Sequence, residues 1–133
     1  MGMTLPLLLD THALLWWMMD DPRLPVSLRE RIANTEQVVH VSAASVWEIA
    51  IKTRKGRLRG TEPYLRNHST LHRSWGFLPV SIESADAAAA GALELPHGDP
   101  FDRMLVAQAQ RLGADLATRD QILRQCFARA VWD

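Results

Sequence analysis

The hydrophobic and polar positions alternate between short apolar runs and longer segments of helical period. Leu5-Pro6-Leu7-Leu8-Leu9 is continuous and apolar, as a strand buried on both faces would be. From Asp10 and Thr11 a helical pattern follows, His12 to Met19, broken by Asp20-Asp21-Pro22. Residues 27–35 read as a short polar helix and Val38-Val39-His40-Val41 as a β-branched strand. Ser42 or Ser45 caps a strong helix that runs to about Lys55, with Gly56 where a C-cap belongs. A basic loop spans 57–61, another helix 62–75, and a third strand 77–80, whose Pro79 suits an edge strand or a strand start. An alanine-rich helix is predicted over 84–93, a polar turn over 96–100, and a helix from Phe101 to Leu112 that stops at Gly113. Asp115 to Thr118 reads as a strand, Asp120 to Cys126 as a short helix, and Val131-Trp132 as a final strand. Strands alternating with helices argue for a single α/β domain over residues 1–133. Its central sheet of about five strands is expected to be mostly parallel and flanked by helices.

Composition changes this picture little. The chain has 133 residues, 47% hydrophobic and 23% charged, enough apolar material for one core. One cysteine, Cys126, excludes an intrachain disulfide and argues against a cysteine-based zinc site; it is expected to pack near the last helix. The first apolar run is short, lacks a basic flank and ends in Asp10, unlike a signal peptide. No stretch reaches the roughly 20 apolar residues that span a bilayer, so a cytoplasmic protein is expected. Net charge is zero, so nucleic-acid binding would have to rest on how charge is distributed.

The candidate chemistry is acidic. Asp10 ends the most apolar strand, and Asp120 falls two residues after Thr118, the end of another. Ligands of open α/β sheets bind outside the carboxyl ends of strands, although both aspartates would also serve as helix N-caps. Glu48 is the only charged residue between Ala43 and Ile51, on a stripe read as Ala44, Trp47, Glu48 and Ile51. A buried carboxylate needs a partner. Lys52, one turn on, is the ordinary one, and a metal ion is the other. Asp99 suits an N-cap with Pro100 at the first helical position, and Asp102 follows in the first turn. Taken together, Asp10, Glu48, Asp102 and Asp120 suit hard Mg2+, with Mn2+ as a substitute, because clustered carboxylates repel one another without a cation. Such a site does metal-assisted phosphate chemistry. His12, His40, His68, His72 and His97 form no catalytic signature, and His97 alone falls near the acids. Trp16, Trp17, Met18 and Met19 exceed one helix face and belong either to the core or to an interface. Lys52, Arg54, Lys55, Arg57 and Arg59 form either a phosphate-contacting arm or a solvated helix end.

These residues resemble the PIN-domain family, and within it the VapC-type toxins. The likeness is carried by Leu7 to Trp16, by Ser42 to Lys52, and by the closing Leu116-Ala117-Thr118-Arg119-Asp120. Its most specific stretch runs from His97 to Ala109 and contains Asp99-Pro100-Phe101-Asp102-Arg103. The resemblance implies that Asp10, Glu48 and Asp102 are the main acids and Asp120 the fourth. Asp99 matches the pattern of one VapC subgroup and is a further candidate metal ligand, although its helix-cap role puts it at the rim, and Thr118 and Thr11 would support the acids from behind. It implies a five-stranded sheet, Mg2+-dependent RNA cleavage that blocks translation, a homodimer and a neutralising antitoxin. Two other readings are a non-catalytic RNA- or protein-binding module and a haloacid-dehalogenase-type phosphatase. The second wants an aspartate where His12 stands.

Overall fold

Leu7, Leu8 and Leu9 have no solvent exposure at all, and a strand buried on both faces must lie inside a covered sheet. In the computed structural model, which describes residues 4–133, they form β1 (Leu7–Leu9), the central strand. The other strands are β2 (Val39–Ser42), β3 (Phe77–Val80), β4 (Asp115–Ala117) and β5 (Ala130–Val131). Their order is β3-β2-β1-β4-β5, and every pairing is parallel, where a mostly parallel sheet was expected. Leu8 pairs with His40 on one side and Leu116 on the other, which sets the register. Pro79 lies on an edge strand, where a missing N–H is tolerated.

The helices are α1 (Thr11–Met18), α2 (Val26–Ala33), α3 (Ala43–Arg54), α4 (Glu62–Ser74), α5 (Ser84–Ala92), α6 (Pro100–Leu112) and α7 (Gln121–Cys126). The period of two along β1 divides the core. Leu7 and Leu9 pack with Leu14, Leu28, Ile49 and Tyr64, whereas Leu8 packs with Leu105, Val106 and Leu123. Two apolar layers therefore clamp the sheet, and the C-terminal ends of β1 and β4 finish side by side, Leu9 opposite Ala117. Among the described residues, no helix is long and apolar enough to cross a membrane.

Several expectations shift. The first strand starts at Leu7, because Leu5 is 40% exposed and its carbonyl accepts from Arg31 and Gln37 instead of a strand. The last strand is Ala130–Val131, one residue earlier than predicted. Ser42, not Ser45, caps α3, its hydroxyl accepting from Ala44 N–H at 3.0 Å. Cys126 is exposed at the end of α7 instead of packed. The aromatic and methionine cluster divides: Trp16 is buried, Trp17 and Met18 are half-buried, and Met19 is exposed. In α4 the backbone kinks at Asn67 (φ −127°, ψ 19°), whose side chain donates to Pro63 O.

One half-buried ion pair fastens α5 to α6. Asp86, only 2% exposed, takes Arg111 Nε at 2.6 Å and Nη2 at 2.9 Å, and also completes a capping box with Glu83. The Arg111 hydrogen bonds outweigh the effect of burial and hold the Asp86 carboxyl below its usual range. Its stabilising contribution is therefore present above the ordinary aspartate value of 3.8 and is lost as pH falls below it. Urea denaturation should show Asp86→Asn less stable by about 2 kcal/mol at neutral pH, with the gap closing in acid.

Candidate active site

Five acids converge where β1 and β4 end. Asp10 follows β1 directly; its N–H still donates to Ala117 O at 3.0 Å, while Oδ1 caps α1 by accepting from Ala13 N–H at 2.8 Å. Asp120 caps α7 through Leu123 N–H at 2.9 Å, and its own N–H rests on the buried Thr118 hydroxyl at 3.1 Å. Asp99 caps α6, accepting from Phe101 and Asp102 N–H, which puts Asp102 in the first turn of that helix. The capping and clustering roles thus coexist. Each aspartate cap commits one oxygen to the backbone, and three helix N-termini (α1, α6 and α7) bring their positive ends to one place.

Glu48 reaches the same place from α3. Its buried face is Ala44, Ser45, Glu48 and Ile49, whereas Trp47 is 59% exposed. The stripe through Trp47 and Ile51 was therefore rotated from the true one. Glu48 Oε1 accepts from Thr11 Oγ1 at 2.6 Å, and Oε2 pairs with Lys52 Nζ at 2.7 Å. The ordinary partner, Lys52, is real, and it turns into the site. Arg54, Lys55 and Arg57 stay exposed at the end of α3 and beyond, and they do not line the pocket.

The resulting pocket, of about 330 Å³, is lined by Asp10, Thr11, Glu48, Asp102 and Asp120 together with His12, Lys52, His97, Asp99 and Arg119. Two of these carry a larger role than sequence reasoning gave them. His97 Nε2 lies 3.0 Å from Asp120 Oδ2 and 3.1 Å from Asp102 Oδ2. Arg119 lies over the Trp16 ring, 4.8 Å from its centroid. Their sequence signals are their place in the family-like stretches and their proximity to Asp99 and Asp120. A separate cavity of about 370 Å³ between α3, α4 and β3 is mainly apolar and contains no acid.

The electrostatics separate the acids. Burial, followed by the charges of Glu48 and Asp120, pushes the Asp10 carboxyl up to about 6, against the Ala13 N–H and the Thr118 hydroxyl. Asp102 is pushed up to about 7 by burial and then by Asp99 and Asp10, with only His97 opposing. Burial would also raise Asp120, but the Leu123 N–H and His97 outweigh it and hold Asp120 down. His97 is raised: desolvation opposes its charge, and the three aspartates Asp120, Asp102 and Asp99 overcome that. No cation pairs with Asp10 among the described residues, so protein charge alone leaves this site under-compensated. Hard oxygen donors, crowded together and partly protonated for lack of positive charge, fit a divalent cation. One ligand atom each from His97, Asp102 and Asp120 already lies within 4.8 Å of the others.

A raised folded-state value means that ionisation costs stability. In EDTA, the native chain should lose stability to Asp102 as pH rises from about 4 to about 7. Asp102→Asn removes that loss. Its melting temperature relative to the native chain should climb across this window in thermal scans and level off above it, and an added divalent cation should narrow the difference.

Comparison with known proteins agrees with this geometry. The family model described as PIN domain matches residues 7–127, from the start of β1 to the end of α7. Ribonuclease VapC22 of Mycobacterium tuberculosis is 31% identical in an alignment 123 positions long that covers 88% of each chain. The crystal structure of VapBC2 from Rickettsia felis bound to a DNA fragment from their promoter matches with a TM-score of 0.65. The match covers 96% of this chain and 98% of that one, at 17% identity, and so speaks for the fold alone. With the family model spanning four of the five strands and all seven helices, and a VapC relative aligned along most of its length, this chain belongs to the PIN-domain family, in its VapC branch.

Proposed function

We propose that this protein is a divalent-cation-dependent endoribonuclease, the toxin of a toxin–antitoxin pair, using Mg2+ with Mn2+ as a working substitute. The observation that carries the reading is the convergence of Asp10, Glu48, Asp102 and Asp120 on one pocket that holds too little positive charge to balance them. Asp10 and Asp102, the two acids pushed furthest up, are the direct ligands. Glu48 and Asp120, already engaged by Lys52 and by His97, surround them, and Asp99 stays at the rim as a cap. When bound, the cation lowers the pKa of a water molecule and offsets charge on the phosphate. Thr11 and Thr118 orient the acids. Lys52 and Arg119 offer cationic contacts to the RNA backbone at the pocket, and Arg54, Lys55 and Arg57 extend that path outward.

RNA as substrate follows from the name of the ribonuclease relative. A neutralising antitoxin is part of the same reading, and it rests on kinship with the VapC ribonuclease. It would cover the acidic pocket, most simply with a basic side chain placed among the carboxylates. The protein acts as a homodimer in the cytoplasm.

The test is cleavage of RNA by purified protein with Mg2+ and with EDTA. Cleavage is expected only with the metal, and Asp10→Ala, Glu48→Ala and Asp102→Ala should each abolish most of it while keeping a native far-UV spectrum. Mg2+ should also raise the melting temperature of the native chain and not of Asp10→Asn. Full activity in Asp10→Ala under metal-controlled conditions contradicts the reading. Metal-independent RNA binding without cleavage points to a binding module of the same fold.

A further inference from the structure

Arg103 faces away from the acids and makes no ion pair among the described residues. Its guanidinium instead donates to a run of backbone carbonyls: Nε to Ala90 O at 3.0 Å, Nη1 to His97 O at 3.0 Å and Leu95 O at 3.3 Å, and Nη2 to Gly91 O at 3.3 Å and to Leu93 O. Ala90 and Gly91 belong to the last turn of α5, where carbonyls lack helical partners and a cation is favoured. Leu93, Leu95 and His97 belong to the strap that joins α5 to α6 and has no regular structure of its own. One rigid fork thus anchors the strap at both ends. Guanidinium geometry suits this task, and a lysine ammonium cannot reproduce it.

At the end of the strap, the His97 ring is held at both nitrogens. Asp99 N–H donates to Nδ1 at 3.1 Å, so Nδ1 presents its lone pair. The neutral ring therefore carries its proton on Nε2, the atom 3.0 Å from Asp120 Oδ2 and 3.1 Å from Asp102 Oδ2. An Nε2 that donates its proton has no lone pair for a metal. Proximity to the acids makes His97 look like a ligand, but its hydrogen bond makes it a donor to Asp120, with Asp102 in close contact at the same nitrogen.

Resting on the metal-dependent reading above, we propose that Arg103 and His97 form a positioning device for the cation site. Arg103 fixes the strap, the strap fixes the imidazole in its Nε2–H form, and the imidazole sets the separation of Asp102 and Asp120. Neither residue touches substrate or metal. A group that contacts a metal ligand directly, as His97 does Asp102, typically changes metal affinity by about 10–100-fold when removed, and Arg103 acts through it.

The experiment compares the full chain with Arg103→Lys, His97→Ala and His97→Gln, using Mn2+ alone as probe in isothermal titration. Long-range 1H–15N NMR of the histidine rings, at alkaline pH and without metal, reads the tautomer. The native chain should show His97 in the Nε2–H form, and Arg103→Lys should show a mixture of tautomers. Arg103→Lys and His97→Ala should bind Mn2+ at least about tenfold more weakly. His97→Gln, which presents an amide N–H at similar reach, should recover most of the affinity. Retained Mn2+ affinity in His97→Ala, or an unchanged His97 tautomer in Arg103→Lys, overturns the proposal. If Arg103→Lys fails to fold, the contrast between His97→Ala and His97→Gln decides, and equal loss in both overturns it. The tautomer is read without metal or RNA, so failure of the nuclease reading shows in the cleavage assay and failure of this device shows in the spectra.

Discussion

Everything at the active end of this molecule follows from one electrostatic constraint: several carboxylates share one partly buried pocket, and like charges at short range oppose ionisation. The fold eases this in three ways. The N-termini of α1, α6 and α7 direct backbone N–H groups at Asp10, Asp99 and Asp120. Lys52 pairs with Glu48, and His97 bridges Asp102 and Asp120. These measures do not suffice for Asp10 and Asp102, whose carboxyls stay raised to about 6 and about 7. The deficit is located at the centre of the pocket, where a divalent cation would remove it.

The parallel sheet is what makes such crowding affordable. With every strand running the same way, the C-terminal ends of β1 and β4 and the N-termini of the helices that follow lie at one edge. A capping aspartate at each junction is locally favourable, so Asp10 and Asp120 gain backbone hydrogen bonds while being brought together. The fully buried Leu7, Leu8 and Leu9, clamped between two apolar layers, hold the edge rigid. Remote ties serve the same end: Asp86 with Arg111 joins α5 to α6, the helix that carries Asp102.

Much of this was legible from local pattern, because the signals were themselves local. A continuous apolar run before Asp10, β-branched Val39 and Val41, and Gly113 at φ +63° closing α6 each have a cause within a few residues. The face of α3 was misjudged by about one position, because Ser45 looks polar in sequence and yet is fully buried beside Thr11, while the large Trp47 faces out. Tertiary contact overrode the hydrophobic stripe. Lys52 lay in plain view but was given two roles, and only the fold turns it onto Glu48. Arg103 was legible only as family pattern, and His97 only as that and as a neighbour of the acids. Their partners are backbone carbonyls and carboxylates up to 23 residues away, which no periodicity reveals. The acids argue for metal-assisted phosphate chemistry on physical grounds, whereas RNA as the substrate comes from kinship with VapC proteins.

The central claim is that the crowded carboxylates exist to hold a cation, and anomalous diffraction from crystals soaked in Mn2+ addresses it most directly. The account predicts one strong anomalous peak within bonding distance of the Asp10 and Asp102 carboxylates, with His97 Nε2 outside the coordination sphere and still bonded to Asp120. A pocket without a peak at millimolar Mn2+, or a peak bound through His97 with Asp10 unengaged, would contradict it.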